Sequence, residues 1–273
     1  MGVVTADQPL SWASSPDVDV DVPSAARLYD FFLGGAYNFA ADRDLARRVL
    51  EISPDLPHMA RENRQFVIRA VQHLAGQGYD QYIDVGCGLP VTGAVHEIAR
   101  NAIPTARVVY VDNEAVAVAH GEHMLATMDG CAMVNGDVRV PESFLRAPIT
   151  LDLLDFSRPV VMVLAAVMHF VSDDENPAGI MAELRDALPP GSRLVFSHGT
   201  VHDEDGEDWS KLRNLYKQSS NRVTERRRGE IEALLTDFQL LEPLGWVTDI
   251  WQDEPLPEGD GPRSHILGCI GAV

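Results

Sequence analysis

Three short stretches of the chain place a carboxylate beside glycines or amides directly after an apolar run. They are Asp84-Val85-Gly86-Cys87-Gly88, Asp112-Asn113 and Gly136-Asp137-Val138. Glycines at alternate positions let the backbone turn sharply and approach a ligand, and a helix that follows offers its first N–H groups to a carboxylate or phosphate. The same Gly-x-Gly turn also serves plain strand-to-helix packing. Asp112, 24 residues beyond Gly88, can accept both hydroxyls of a ribose, or cap a helix that begins at Glu114. Asp137 can accept a hydrogen bond from the exocyclic amine of adenine, or simply belong to a turn. A dinucleotide fingerprint needs a third glycine where this chain has Val91, which disfavours an NAD pyrophosphate site and an NAD-dependent enzyme.

The elements that must position these residues are legible in the hydrophobic pattern. Short apolar, β-branched runs cover residues 81–85, 107–111, 132–135, 160–164, 193–197 and 265–270, and helical stretches fall at 92–100, 114–128, 174–188 and 224–238. Strands alternating with helices predict βαβ units and an α/β fold, a mostly parallel sheet with helices on both faces. Ligands of such sheets sit outside the carboxyl ends of the strands. Before the sheet, the spacing predicts helices at 23–33, stopped by Gly34-Gly35, at 42–50, and at 58–75, where Phe66, Val67, Ala70, Val71 and Leu74 share one face. The expected organisation is a flexible polar arm at 1–22, a helical extension at 23–78 that covers the site, and an α/β sheet domain at 79–273.

Acidic residues at three consecutive strand ends resemble the class I S-adenosylmethionine-dependent methyltransferases. More narrowly, the chain is similar to the actinobacterial methyltransferase family formerly catalogued as a domain of unknown function. That likeness rests on residues 23–39, Asn63-Arg64, the D-V-G-C-G-L-P turn, V-Y-V-D-N and the A-V-M-H-F run ending at Phe170, and it spans nearly the whole chain from Pro23. The resemblance implies a Rossmann-like sheet, S-adenosyl-L-methionine as cofactor, and methyl transfer to a small molecule. Asp84, Gly86, Cys87 and Gly88 would then cradle the methionine part, and Arg64 either pairs its carboxylate or lies on a solvated helix face. Asp112 with Asn113 would hold the ribose, and Gly136, Asp137 and Val138 would frame the adenine. Two departures stand out: Pro90 replaces a further glycine of the common class I pattern, and Tyr37 stands where the narrower family often has an acid.

Further candidates flank this core. Tyr37 and Asn38, within Gly34-Gly35-Ala36-Tyr37-Asn38-Phe39, can stack or hydrogen-bond over the mouth of the site, Tyr37 as a candidate catalytic group. The alternative is a helix-to-helix turn with a buried tyrosine. Arg27, Tyr29 and Asn63 can join the same cover. After the fourth apolar run, Ala165 and Ala166 are small enough to admit a cofactor, and His169 has the ordinary pKa near 6.5 that suits a general base, unless it is a core or loop histidine. Cys87 has no base next to it in sequence and fits a filler. Arg222, Arg226, Arg227 and Arg228 form a basic cluster, either the solvated start of a helix or a contact for an anion, and residues 201–228 offer a second wall for a substrate. Because no strong base stands out, a sensor or partner protein that binds S-adenosylmethionine without turnover is the second reading.

Composition bounds the alternatives. The chain has 273 residues, with 41 Asp and Glu against 22 Lys and Arg, a net charge of −19. Phosphate neutralisation by nucleic-acid binders needs a basic face, and anionic membranes select for the same residues. The excess is local: residues 1–22, 201–210 and 249–260 hold 14 acids and no Lys or Arg, leaving 27 acids against 22 bases elsewhere. No apolar run approaches the roughly 18 to 20 residues of a membrane span. Cys87, Cys131 and Cys269 form no CxxC pair, which argues against a metal knuckle and for a reduced, cytoplasmic setting. No feature specifies an oligomer.

Overall fold

The apolar runs pair as their β-branched content requires. The computed structural model describes residues 18–89, 93–201, 206–251 and 265–273. In it, β1 (Gln81–Val85), β2 (Arg107–Asp112), β3 (Cys131–Asn135), β4 (Val161–Ala165) and β5 (Arg193–Gly199) are parallel, and β6 (Gln239–Trp246) and β7 (Ile266–Ala272) complete the sheet. The strand order is β3-β2-β1-β4-β5-β7-β6, with β7 antiparallel to both of its neighbours. The chain turns from building outward through β2 and β3 to building the other way through β4 and β5, so the crevice opens at the carboxyl ends of β1 and β4. Residues 1–17 of the expected arm, Pro90, Val91 and Thr92, and residues 202–205 and 253–260 of the acidic segments lie outside the described residues.

Helices α1 (Ala25–Phe32), α2 (Ala40–Ile52) and α3 (Leu56–Gly76) precede the sheet. They are followed by α4 (Val95–Ala102), α5 (Ala115–Leu125), α6 (Glu142–Leu145), α7 (Pro148–Leu153), α8 (Pro177–Ala187), α9 (Gly206–Tyr216) and α10 (Arg228–Leu234). Alternate strand residues feed opposite cores, as the two-residue side-chain period demands. Tyr82, Val108 and Val163 pack against Phe66, Val67 and Val71 of α3. Ile83, Val109 and Met162 pack on the other face with Phe144, Met181 and Leu184. Both faces are therefore covered, which is why these strands read as continuous apolar runs.

A third cluster lies off the sheet. Leu28 and Phe32 of α1 and Leu45 and Val49 of α2 pack with Leu212 and Tyr216 of α9. The cover thus has a C-terminal component, while α3, the longest N-terminal helix, lies on the sheet itself. Among the described residues no helix is long and apolar enough to cross a membrane.

Two elements depart from the sequence pattern. β6 is unannounced because Pro243 and Gly245 interrupt it, and it tolerates them as an edge strand with register shifts between Leu240 and Glu242 and between Glu242 and Gly245. The helix expected at 224–238 shortens to α10 because the residues before it run along the ends of the strands. There Arg226 is not solvated, as a helix start would be, but 3% exposed. It donates to the carbonyls of Met168 and Val171 (2.8 and 2.7 Å), pairs with Asp173 (2.7 Å) and lies 3.2 Å from Nε2 of His198. Since a guanidinium only donates, that nitrogen is an acceptor and His198 is neutral. Burial pushes its pKa down to about 4.

The cover is fastened to the sheet by Arg27, which is 1% exposed. Its Nε donates to Asp42 of α2 (2.8 Å), and one terminal nitrogen donates to Glu114 at the end of β2 (2.9 Å). The other meets the carbonyls of Asp19 and Val22, and the guanidinium lies 5.1 Å from the Phe39 ring centre. Asp42, fully buried, also accepts from the amides of Ser24 and Phe39. Breaking a buried ion pair from one side leaves an uncompensated charge and costs about 3 to 5 kcal/mol. Arg27→Met is therefore expected to lose stability of that order in urea unfolding. Arg27→Met combined with Asp42→Leu should recover much of it, whereas an Arg27→Met loss below about 1 kcal/mol would show that Asp42 is not dependent on this partner.

Candidate active site

The turn after β1 is held by β2. The amides of Gly86 and Cys87 both donate to the carbonyl of Val111 (2.7 and 3.1 Å). Gly86 and Gly88 have φ of +67° and +63°, the left-handed region that glycine enters without steric cost. A Cβ on Gly86 would lie 2.4 Å from Val167, in the segment after β4, whereas the corresponding direction at Gly88 is open space. The Gly88 amide donates to Oδ2 of Asp112 (2.8 Å), and the Glu114 amide donates to Oδ1 (2.9 Å). Turn and carboxylate thus fix each other, and each oxygen retains lone-pair capacity toward the cleft.

Two sequence alternatives are decided here. Asp112 is not the cap of α5. Glu114 is, accepting from the amides of Val116 and Ala117 (2.9 and 3.1 Å). At the start of the helix after the glycine turn, three amides are already engaged. The amides of Gly93 and Ala94 donate to Glu97 (2.9 and 3.1 Å), and that of His96 to the Tyr110 hydroxyl (2.9 Å).

The end of β3 is tied to the end of β2. The Gly136 amide donates to the Asp112 carbonyl (3.0 Å), and Asn113 donates to Asp137 (2.9 Å). Asp137 also accepts from the Arg139 amide (2.9 Å). A Cβ on Gly136 would lie 2.9 Å from Phe144 and 3.0 Å from Val111, so this glycine answers to helix packing beneath the site. Its backbone, Asp137 and the buried Val138 line the cleft.

Asp84 and Asp112 share one buried wall, each 8% exposed. Burial pushes the Asp84 carboxyl up to about 7, with Arg64 opposing the rise and Asp112 adding to it. Burial likewise raises Asp112 to about 6, against the hydrogen bonds from Glu114 and Gly88. Arg64, on α3, donates to the Gly93 carbonyl, and its Nε is buried without a hydrogen-bond partner. A guanidinium N–H left open inside a cleft fits a carboxylate. Cys87 is held as a thiol, its pKa well above the ordinary value through burial and then the two aspartates; a thiol nucleophile requires the opposite shift.

The segment after β4 forms the facing wall. Ala165, Ala166 and His169 line the cleft. Ala166 has φ of +57°, an uncommon backbone state for a residue with a Cβ, and its amide is fixed by the carbonyl and hydroxyl of Ser197 (both 3.0 Å). His169 does not keep the pKa near 6.5 expected of a base. Burial, then His198 and Arg226, push it well below that value, so the imidazole is neutral, with Nδ1 buried and unpartnered.

A hydrogen-bonded chain joins this wall to the cover. The Ser197 hydroxyl donates to Asn63 (2.6 Å), Asn63 donates to the Tyr29 hydroxyl (3.2 Å), and Tyr29 donates to the Ala60 carbonyl (3.0 Å). Tyr29 lines the cleft through its ring, its hydroxyl being already engaged. Tyr37 and Asn38 are not in the cleft wall. The Tyr37 amide and the Asn38 side chain both donate to Asp30 (2.9 and 2.8 Å), and the Tyr37 ring meets His120 edge-on at 4.4 Å. Gly35 is needed there because a Cβ would lie 1.9 Å from Asp30 Oδ1. The segment is a turn organised by a buried acid.

Sequence reasoning missed Glu114, Ser197, Val167 and Arg139 as parts of the site. Glu114 had a signal, an acid opening a helix. Ser197 had none, since its role depends on a partner 134 positions away.

The family model described as S-adenosyl methyltransferase matches residues 11–273. Among solved structures, the chain is similar to a proposed methyltransferase from Thermobifida fusca YX, with 36% identity over 94% of this chain and 97% of that one and a TM-score of 0.84. It is also similar to a DUF574 family protein from Streptomyces avermitilis MA-4680, with 32% identity over 93% and 99% of the two chains and a TM-score of 0.84. Among curated proteins none matches. With a match over nearly its whole length, and with the parallel sheet and strand-end acids in place, the chain belongs to the S-adenosyl methyltransferase family, whose cofactor is S-adenosylmethionine.

Proposed function

We propose that the protein transfers a methyl group from S-adenosylmethionine to a small molecule held between the strand ends and the helical cover. The observation that carries this reading is the pair of buried aspartates, Asp84 and Asp112, with pKa values raised to about 7 and about 6. Two acids in one wall, with Arg64 as the nearby cation, form a site short of positive charge. The cofactor's sulfonium and ammonium supply that charge. Its carboxylate suits the open Nε–H of Arg64, its ribose hydroxyls suit Asp112, and its adenine amine suits Asp137. The donor and acceptor set therefore fits.

S-adenosylmethionine supplies an electrophilic methyl group on sulfur, and in-line displacement depends chiefly on alignment. The chain's part is to bind, orient and exclude water. Gly86 lets the turn approach Val167 closely, Ala165 and Ala166 keep the wall shallow, and Asn63 with Ser197 fixes the cover against it. His169, neutral at ordinary pH, can accept a hydrogen bond from a substrate proton but is a weak base. That weakness favours one other reading, a protein that binds the cofactor as a sensor without turnover.

Calorimetric titration with S-adenosylmethionine tests the site. Positive charge favours ionised carboxylates, so affinity should rise as pH increases from about 5 to 7 and level off above, by up to about tenfold per unit for each carboxyl, with proton release below pH 7. Asp84→Asn should flatten this dependence and Asp112→Ala should weaken binding by about 2 kcal/mol, roughly thirtyfold. A pH-independent affinity would remove the two acids from the assignment. In the ligand-free protein the same groups keep protons that an unfolded chain releases above the ordinary 3.8. Their contribution to stability is present at low pH and lost as pH rises to about 7, so Asp84→Asn should gain stability over wild type at pH 8 in urea unfolding.

Turnover separates enzyme from sensor. Incubation with a panel of small molecules should release S-adenosylhomocysteine with at least one of them, read by mass spectrometry. Tight cofactor binding with no release across the panel would select the sensor.

A further inference from the structure

The cleft is divided chemically. Among the described residues that line it, the charged ones are five acids, Asp84, Asp112, Glu114, Asp137 and Glu225, and two arginines, Arg64 and Arg139. All but Glu225 lie on the cofactor side assigned above. Both arginines lie there: Arg64, near Asp84 and assigned to the cofactor's carboxylate, and Arg139, 3.6 Å from Asp137 and 3.3 Å from Glu175. The cover side is walled by Tyr29, Phe32 and Met59 from the N-terminal helices and by Trp209, Leu212 and Tyr216 from α9. Its charge is Glu225, whose Oε1 is buried without a hydrogen bond and lies 3.5 Å from the half-exposed Arg213. Glu225 is therefore a paired acid, and the described lining residues of this half include no lysine or arginine. The residues before Glu225 are pinned to the cofactor side, because the Thr224 amide donates to the His169 carbonyl (2.7 Å).

From this division we infer that the methyl acceptor is an uncharged, mainly apolar, ring-bearing molecule without phosphate or carboxylate. The inference rests on the proposed methyl transfer and names its substrate class. Aromatic and aliphatic walls on two helices favour a flat apolar body by burial. A phosphate or carboxylate in the same place would be desolvated beside Glu225 with no lysine or arginine among the described lining residues of the cover side to pair with it, and an unpaired buried charge is strongly disfavoured. The polar groups that face the ring's edge are His169 and the 221–225 segment. A neutral imidazole there accommodates one hydroxyl or amine on an otherwise apolar molecule.

The test uses a matched pair of probes, 1-naphthol and 1-naphthyl phosphate, titrated calorimetrically into the full chain with and without S-adenosylhomocysteine. Saturable binding of 1-naphthol is expected, with 1-naphthyl phosphate at least tenfold weaker. Glu225→Arg should narrow that gap to threefold or less. Trp209→Ala should weaken 1-naphthol at least fivefold, with circular dichroism confirming the fold, and Leu212→Ser provides a second wall variant by the same criterion. Equal or tighter binding of the phosphate by wild type, or no saturable 1-naphthol binding, would overturn the inference. So would 1-naphthol binding indifferent to both wall variants. Failure of S-adenosylhomocysteine to bind while the probe preference persists would instead count against the cofactor assignment and leave the substrate class standing.

Discussion

The geometry of the cleft depends on one buried cation. Arg27 holds α2 through Asp42, the segment before α1 through two carbonyls, and the end of β2 through Glu114. Glu114 in turn caps α5 and sits two residues from Asp112. The distance between cover and sheet, and the placement of the strand-end acid, are thus set by the same guanidinium. A planar group with five fixed donors can serve several partners at once; a lysine could not. The hydrophobic cluster of α1, α2 and α9 supplies adhesion, but adhesion alone is non-directional.

Against this fastening stands a site that works against stability. Asp84 and Asp112 are buried where water would favour their ionisation, and Ala166 occupies the left-handed backbone region. Groups held in unfavourable states persist only where the surroundings over-determine them. Here the surroundings are a parallel sheet covered on both faces and a chain of hydrogen bonds from Ser197 through Asn63 to Tyr29, each bond contributing about 1 kcal/mol. Asn63 is central because its amide both accepts and donates, so one residue couples β5 to the cover.

The sheet and its acids were legible because both follow local rules. Alternating apolar runs marked six strands, and the fold places Asp84, Asp112 and Asp137 at consecutive strand ends, where βα spacing required them. What was not legible depends on distant partners. Arg226 sits in a basic run that reads as solvated, and only the approach of Met168, Val171 and His198 makes it an interior cation. Tyr37 and Asn38 read as a lid, yet the acid that claims them, Asp30, lies on the preceding helix and carries no signal of its own. His169 lost its ordinary basicity to burial first, and then to His198 and Arg226, neighbours 29 and 57 positions away. The protonation and exposure of such residues are properties of the assembly.

The raised carboxyls of Asp84 and Asp112 have a consequence for the direction of the catalytic cycle. Under the proposed assignment, a ligand bearing positive charge offsets the cost of ionising them in this buried wall. The same ligand stripped of its sulfonium charge, a neutral thioether, offsets less of it. The electrostatics that favour capture before the reaction therefore favour departure after it, and the cleft needs no separate device to prefer fresh cofactor over spent.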